Sequence, residues 1–173
     1  GASKEFETLF VSKERAFVVD NGKGLFELKE NLLHPIAGTT QFQKDIVGVF
    51  LEENEELLIV TKKRGVWSYN DGKTVKKKWN SNNSFEASLI NDAVKTKKDN
   101  YVFASQRNGV YLVSKQGEIL LHLDKNSGLQ NNSILSAFSD NNQNIWLGFE
   151  NSLSYLNANS NSRLLNDTKS EFG

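Results

Sequence analysis

Short apolar runs alternate with polar turns along the whole chain. The runs are rich in Val, Ile, Phe, Tyr and Trp, as in AFVV at 16–19, LLIV at 57–60, YVFA at 101–104 and IWLG at 145–148. Clusters of Asn, Asp, Gly and Ser separate the runs, and these residues favour turns. No stretch keeps a helical period of 3.6 residues over three turns. The pattern therefore predicts an all-β protein.

A second motif follows each run at a regular interval: NGKGLFEL at 21–28, KKRGVWSY at 62–69, QRNGVYLV at 106–113 and FENSLSYL at 149–156. The anchor residues Gly24, Gly65, Gly109 and Ser152 are 41, 44 and 43 residues apart. A period in the low forties that is built from strands is typical of β-propellers. We therefore predict four four-stranded antiparallel blades, over residues 5–44, 45–88, 89–132 and 133–167, in one partial propeller domain that spans 1–173.

Composition excludes several classes of function. The 21 basic and 21 acidic side chains give a formal net charge of zero, so no overall field draws the chain to nucleic acid or to an anionic membrane. The lack of cysteine excludes disulfides and thiolate metal sites. No apolar run reaches the roughly 20 residues that span a bilayer. We expect no cofactor and no metal, and a membrane link only through segments outside this chain.

Residues 128–156, GLQNNSILSAFSDNNQNIWLGFENSLSYL, carry a more specific pattern. Gly128-Leu129, Asn132, a short apolar strand and Asp140 precede a Trp-x-Gly strand, and this order resembles the two-component regulator propeller repeat. The stretch departs from the residues that the family prefers at Gln143, Phe149 and Ser152. The second and third repeats keep the period, the Gly-aromatic strand and parts of the polar turns.

The resemblance implies a sensor propeller that faces the periplasm or another extracytoplasmic space. Complete members of the family add a transmembrane helix and a cytoplasmic kinase or helix-turn-helix output, so this chain would be part of a larger propeller. Its partners would be a small molecule or oligosaccharide, and the remaining blades of the parent propeller or another copy of itself. We also expect the tail at 157–173 to be poorly packed.

Two sets of loops are candidates for ligand binding, because propellers place variable loops over one face of rigid blades. The short turns between second and third strands hold Lys23, Lys63 and Arg64, and Arg107 and Asn108. The loops that cross between blades include Trp79, a possible stacking platform. The turn cations could receive a carboxylate or an acidic sugar, with Arg as a bidentate donor, or they could simply be solvated. We name Lys23, Arg64, Arg107, Asn108 and Trp79 as the binding residues.

Other polar features favour structural interpretations. Trp146 is expected in the core between blades, and the Asn and Asp residues of the turns are expected to cap them. His34 and His122 are placed on outermost strands of different blades, where they cannot share a metal or form a nucleophile–base pair. The acidic run at 52–56 is placed in a solvated hairpin turn. The sequence therefore predicts that this segment is not an enzyme.

Three functions of different classes stay open. The first is a ligand-sensing segment of an extracytoplasmic signalling receptor. The second is a protein-interaction platform that docks a partner on a propeller face or an open edge. The third, a propeller hydrolase or lyase, would need a convergent cluster of His, Asp, Glu or Arg that the sequence does not display.

Overall fold

The computed structural model describes residues 6–156 and 164–165. It consists of two compact units, Gly1–Lys78 and Trp79–Gly173. Within the described residues there are four antiparallel sheets of four strands each. In every sheet the four strands follow one another in sequence, as in a β-propeller blade. The predicted all-β fold built of propeller blades is therefore confirmed.

The first unit contains blades 1 and 2. Blade 1 consists of β1 (Phe6–Ser12), β2 (Arg15–Asp20), β3 (Gly24–Lys29) and β4 (Leu32–Pro35). A 3₁₀ segment, Thr40–Asp45, leads into blade 2. Blade 2 consists of β5 (Ile46–Leu51), β6 (Leu57–Thr61), β7 (Val66–Asn70) and β8 (Lys73–Lys76).

The second unit contains blades 3 and 4. A short helix, α1 (Asn82–Ser88), precedes β9 (Ile90–Lys95), β10 (Tyr101–Ser105), β11 (Val110–Val113) and β12 (Ile119–Leu123). A 3₁₀ turn, Lys125–Ser127, leads to β13 (Ser136–Ser139), β14 (Ile145–Gly148), β15 (Leu153–Leu156) and β16 (Leu164–Leu165). The first strands of consecutive blades in a unit lie beside each other, so they are the inner strands.

Each blade has two faces because successive side chains of a strand point in opposite directions. We call the face toward the next blade in sequence the forward face, and the opposite one the rear face. In the first unit, Phe17 and Leu25 on the forward face of blade 1 are buried against Val49 and Ile59 on the rear face of blade 2. The rear face of blade 1 stays exposed and carries Leu9, Val11 and Leu28.

The second unit repeats this arrangement. Val102 and Ala104 on the forward face of blade 3 are buried against Ile145 and Leu147 on the rear face of blade 4. Strand alternation turns Trp146 toward the forward face of blade 4, and its side chain is 38% exposed there. The expectation that Trp146 is a buried core residue is therefore wrong, since no described residue of the second unit covers this face.

The crossing segment at 79–88 also differs from the expected irregular loop. It contains the seven residues of α1, with Asn82, Phe85 and Ser88 buried along one side. Leu89 ends the helix in a left-handed conformation, with φ of 57°, and donates its N–H to the carbonyl of Phe85. Two helical turns are too short to produce a periodic signal in the sequence, so this helix could not be predicted from hydrophobic spacing.

Pro35 lies on β4, the outermost strand of blade 1, where a missing N–H donor is tolerated. The acidic run lies between β5 and β6, as predicted, but it is not simply solvated, because Glu52 is buried and Glu55 and Glu56 form ion pairs. The Asp140 carboxylate caps its own turn by accepting the backbone N–H groups of Asn142 and Asn144.

Two further expectations remain predictions. One is that residues 1–173 form a single partial propeller domain with the stated blade boundaries. The other concerns the tail at 157–173, which lies outside the described residues except for Leu164–Leu165. Among the described residues, no helix has the length and apolar character that crossing a membrane requires.

Candidate functional site

A hydroxyl side chain organises the turn between the second and third strands in blades 2 and 3. In blade 2, Thr61 Oγ1 accepts the backbone N–H of Arg64 at 3.1 Å and donates to the carbonyl of Gly65 at 2.6 Å. In blade 3, Ser105 Oγ accepts the N–H of Asn108 at 2.9 Å and donates to the carbonyl of Gly109 at 2.8 Å. The two turns therefore share one hydrogen-bonded frame.

Glycine closes this frame for two reasons. Gly65 and Gly109 have φ values of 73° and 74°, a left-handed conformation that other residues adopt only at a cost. A Cβ atom on Gly109 would also lie 2.0 Å from the carbonyl oxygen of Leu123. The turn of blade 3 is consequently packed against the segment that follows β12, which fixes the positions of the two exposed residues before Gly109.

In the first unit the turn cations face acidic partners. Lys23 Nζ lies 3.3 Å from the carboxylate of Asp20, which is buried. Lys63 Nζ and Arg64 Nε lie 3.6 Å and 3.5 Å from the carboxylate of Asp45, which is also buried. These acids offset part of the positive charge that an anionic ligand would meet. The arrangement weakens the case for Lys23 and Arg64 as anion-binding residues.

Arg107 in the second unit differs from these cations. Its side chain is exposed, and within the described part of the chain its guanidinium group makes no hydrogen bond or ion pair. Its backbone N–H donates to the carbonyl of Ser88 at 3.2 Å, so the main chain is held while the side chain is not. Arg107 therefore keeps its full set of donors for a ligand.

Asn108, the neighbour of Arg107, is oriented by a hydrogen-bond network that was not predicted from the sequence. Asn108 Nδ2 donates to Ser88 Oγ at 3.0 Å. Ser88 Oγ also lies 2.7 Å from the hydroxyl of Tyr111, whose ring stacks on His122 with centroids 4.4 Å apart. His122 Nε2 lies 2.7 Å from the carbonyl of Asn108, and because a carbonyl can only accept, Nε2 carries the proton.

This network joins three elements around the turn of blade 3. Ser88 ends α1, Tyr111 lies on β11, and His122 lies opposite Tyr111 on β12. Cross-strand pairing of Tyr111 with His122 could have been inferred from strand register, but Ser88 could not, because its position depends on the unpredicted helix. Ser88, Tyr111 and His122 therefore form a connected polar network beside the turn that carries the exposed Arg107.

The segment after β12 adds one acidic group near this network. Asp124 caps the 3₁₀ turn by accepting the hydroxyl and the backbone N–H of Ser127. The hydrogen bonds from Ser127 lower the pKa of Asp124. Asp124 is therefore ionised at neutral pH, and its carboxylate is already used by its own turn.

Trp79 lies away from the other candidates of the second unit. A Cβ atom on Gly117 would lie 2.1 Å from the indole ring, so the ring packs directly on the β11–β12 hairpin. The ring is also 6.1 Å from that of Tyr101, at the start of β10, whereas the Arg107 turn follows the end of β10. Four strand steps separate these ends by about 13 Å. The structure brings Arg107 and Asn108 together but does not place Trp79 beside them.

The histidines and acidic side chains do not form a metal-binding group in the described part of the chain. His34 lies on β4 and His122 on β12, the outermost strands of blades 1 and 3, as predicted. Within residues 6–156 and 164–165, no three His, Asp or Glu side chains are placed to hold a metal ion.

Known structures with the same fold include extracellular domains of bacterial signalling systems and a bacterial lyase. The extracellular domain described as part of a one component system from B. thetaiotaomicron is 18% identical, with a TM-score of 0.62 over 87% of this chain. The extracellular domain described as part of a hybrid two component system from the same organism is 20% identical, with a TM-score of 0.55 over 83% of the chain. Virginiamycin B lyase from Staphylococcus aureus is 10% identical, with a TM-score of 0.66 over 98% of the chain.

The likeness to these proteins establishes the β-propeller fold. The chain spans 21% and 19% of the two extracellular domains and 58% of the lyase. Neither a protein-family model nor a curated protein matches the sequence.

Proposed function

We propose that this chain is a ligand-sensing segment of an extracytoplasmic β-propeller receptor and not an enzyme. The observation that carries the proposal is the match of its blades to the extracellular domain of a one component system over 87% of the chain. The resemblance of residues 128–156 to a two-component regulator propeller repeat supports the same function. The segment would pass its signal to a cytoplasmic kinase or transcription-regulator output in the parent protein.

The ligand we propose is a small molecule or oligosaccharide that carries a carboxylate. Arg107 is exposed and has no acidic partner among the described residues, and a guanidinium group binds a carboxylate through two parallel hydrogen bonds. Asn108 and the Ser88 network hold the adjacent turn in place, so little conformational freedom would be lost on binding. Lys23, Arg64 and Trp79 stay candidates for parts of the ligand remote from Arg107.

An alternative is a platform for protein interactions. The exposed apolar side chains on the rear face of blade 1 and the forward face of blade 4 support it. They suit either further blades of the parent propeller or another copy of the chain. A propeller lyase is the weaker alternative, because His122, the only histidine after residue 34, is held between Tyr111 and the carbonyl of Asn108.

A thermal-shift screen of the 173-residue chain tests the proposal. The probes are glucose, glucuronate, and neutral and acidic oligosaccharides, each compared with sodium chloride at equal ionic strength. A ligand that binds only the native state at about 100 times its Kd raises the melting temperature by about 5 °C or more. We expect this rise with an acidic saccharide. A melting temperature that no saccharide changes would contradict ligand sensing by this segment.

A further inference from the structure

The forward face of blade 4 presents an aromatic row to solvent. Strand register places Phe138 on β13 opposite Trp146 on β14, and Trp146 opposite Tyr155 on β15. Leu153 extends the row along β15. Phe138 and Leu153 are 63% and 60% exposed. Such clusters on a soluble protein commonly mark an interaction site.

The positions of this row are those that make a blade–blade junction elsewhere in the chain. Trp146, Val102 and Phe17 each lie on the second strand of a blade. Counted back from the start of the turn that follows this strand, Trp146 in blade 4 occupies the same position as Val102 in blade 3 and Phe17 in blade 1. Val102 is buried by blade 4, and Phe17 is buried by blade 2. The occupant that suits the row is therefore the rear face of another blade.

Blade 1 has a rear face of the required chemistry. Register places Leu9 opposite Val18 and Val18 opposite Phe26, with Val11 and Leu28 in the adjacent row. Leu9 and Val11 are 62% and 69% exposed. The rear face of blade 2, which buries Phe17, likewise presents aliphatic side chains, Val49 and Ile59, with Trp67 beside them.

We infer that the forward face of blade 4 binds the rear face of blade 1 of a second copy of this chain. The contact is head-to-tail, since two different surfaces meet. It extends the partner assignment of the proposed function and rests on that assignment, not on the ligand. The aromatic row supplies the flat anchors that dominate binding energy at protein interfaces, and the aliphatic face supplies the surface on which they pack.

Sedimentation velocity of charged variants tests the pairing. The forward variant carries Phe138→Lys and Leu153→Lys, and the rear variant carries Leu9→Lys and Val11→Lys. All four side chains are exposed, so the fold is expected to survive, and circular dichroism checks it. Val75→Lys, at a side chain that is 58% exposed on the edge strand β8, is the matched control.

The wild-type chain and the Val75→Lys control are expected to self-associate. Each double variant alone is expected to be monomeric, with its dissociation constant raised about 30-fold or more. An equimolar mixture of the two variants should regain a one-to-one complex, because each still has one intact face. Where a double variant does not fold, Phe138→Lys and Val11→Lys alone give the same comparison.

Three results would overturn the inference. The first is a monomeric wild-type chain at every concentration. The second is a rear variant that still self-associates while the forward variant does not, since this would show that two forward faces pair. The third is a mixture in which the two monomeric variants do not combine. The measurement uses no saccharide, so it can fail while ligand sensing stands, and ligand sensing can fail while it stands.

Discussion

The rows Phe10–Phe17–Glu27 and Phe138–Trp146–Tyr155 occupy equivalent positions in blades 1 and 4 but have different environments. In each row the side chains lie opposite one another on the first three strands of their sheet. Phe17 is fully buried against blade 2, whereas Trp146 is exposed. The local pattern decides which face a side chain is on, and the presence of a neighbouring blade decides whether that face is buried.

The buried row also contains a charged group, which needs compensation. Glu27 is buried, and its carboxylate receives Arg15 Nε at 2.5 Å and Nη2 at 2.9 Å, with Lys29 at 3.0 Å. Burial opposes the charge of Glu27, but the hydrogen bonds from Arg15 and Lys29 outweigh burial and lower its pKa. The exposed row has a weaker polar interaction, a hydrogen bond that Trp146 Nε1 donates to the carboxylate of Asp140 at 3.0 Å.

The largest expected effect comes from truncating the equivalent aromatic residues. Phe17→Ala should lower the free energy of unfolding by about 4 kcal/mol, because it leaves a cavity in a fully buried position. Trp146→Ala should cost about 1 kcal/mol, the value of its stacking on Tyr155 and its hydrogen bond to Asp140. Urea unfolding measures both at a concentration low enough to prevent self-association. Equal losses would contradict the contrast between the rows.

The second prediction concerns the buried ion pair of blade 1. Arg15→Ala should lower the free energy of unfolding by about 3 kcal/mol, because it removes the main partner of a buried carboxylate. Glu55→Ala is the control, since Glu55 pairs with the same arginine from an exposed position and should cost about 0.5 kcal/mol or less. A loss in the control as large as that in Arg15→Ala would assign the effect to the surface pair.

A third prediction concerns the pH dependence of stability, which should differ between Glu27 in the first unit and Asp92 in the second. The pKa of Glu27 is lowered in the folded state, so its stabilisation is present above its ordinary pKa and is lost as pH falls below that value. Burial raises the pKa of Asp92, whose carboxylate accepts the N–H groups of Ala93 and Ala137. As the pH falls through this raised pKa, Asp92 becomes protonated. The folded state is then more stable, because a neutral carboxyl group costs less free energy to bury than a carboxylate.

Unfolding of Glu27→Gln and Asp92→Asn at pH about 7 and about 3 measures the two contributions, since the lower pH lies below the ordinary pKa of both carboxyl groups. Relative to wild type, Glu27→Gln should lose less stability on acidification, and Asp92→Asn should lose more. The same response in both variants would show that the two carboxylates do not have opposite pKa shifts.

The smallest expected effect on stability is at the candidate site. Arg107→Ala and Arg64→Ala should each change the free energy of unfolding by about 0.5 kcal/mol or less, as is usual for exposed side chains. For Asn108→Ala we expect a loss of about 1 kcal/mol, because Ser88 Oγ loses a hydrogen-bond donor. Thermal unfolding of the three variants checks this order.

The sequence predicted the blades because their repeat is long and their strands are strongly apolar. It placed the turns of Lys23, Arg64 and Arg107 correctly between second and third strands, since the glycine that ends each turn is visible as an anchor. It could not show that Asp20 and Asp45 face the first two cations. Those contacts depend on how the buried acids are oriented within the fold.

The features that the sequence did not predict depend on contacts between segments that are distant in the chain. Trp146 matches a repeat position that is normally buried, but burial depends on a neighbouring blade rather than on the local sequence. Trp79 belongs to a crossing loop, but its packing on Gly117, at the end of β10 away from Arg107, depends on the folded hairpin and was not predicted. The Ser88–Tyr111–His122 network required the short helix α1, which leaves no periodic signal in the sequence.

Isothermal titration of glucuronate and glucose into wild type, Arg107→Ala and Arg107→Lys tests the proposed carboxylate site most directly. The two sugars differ in the carboxylate that Arg107 would receive. We predict that wild type prefers glucuronate, that Arg107→Ala weakens glucuronate binding by about 30-fold without changing glucose binding, and that Arg107→Lys retains part of the preference. An equal affinity for both sugars in wild type, or a preference for glucuronate that survives in Arg107→Ala, would contradict it.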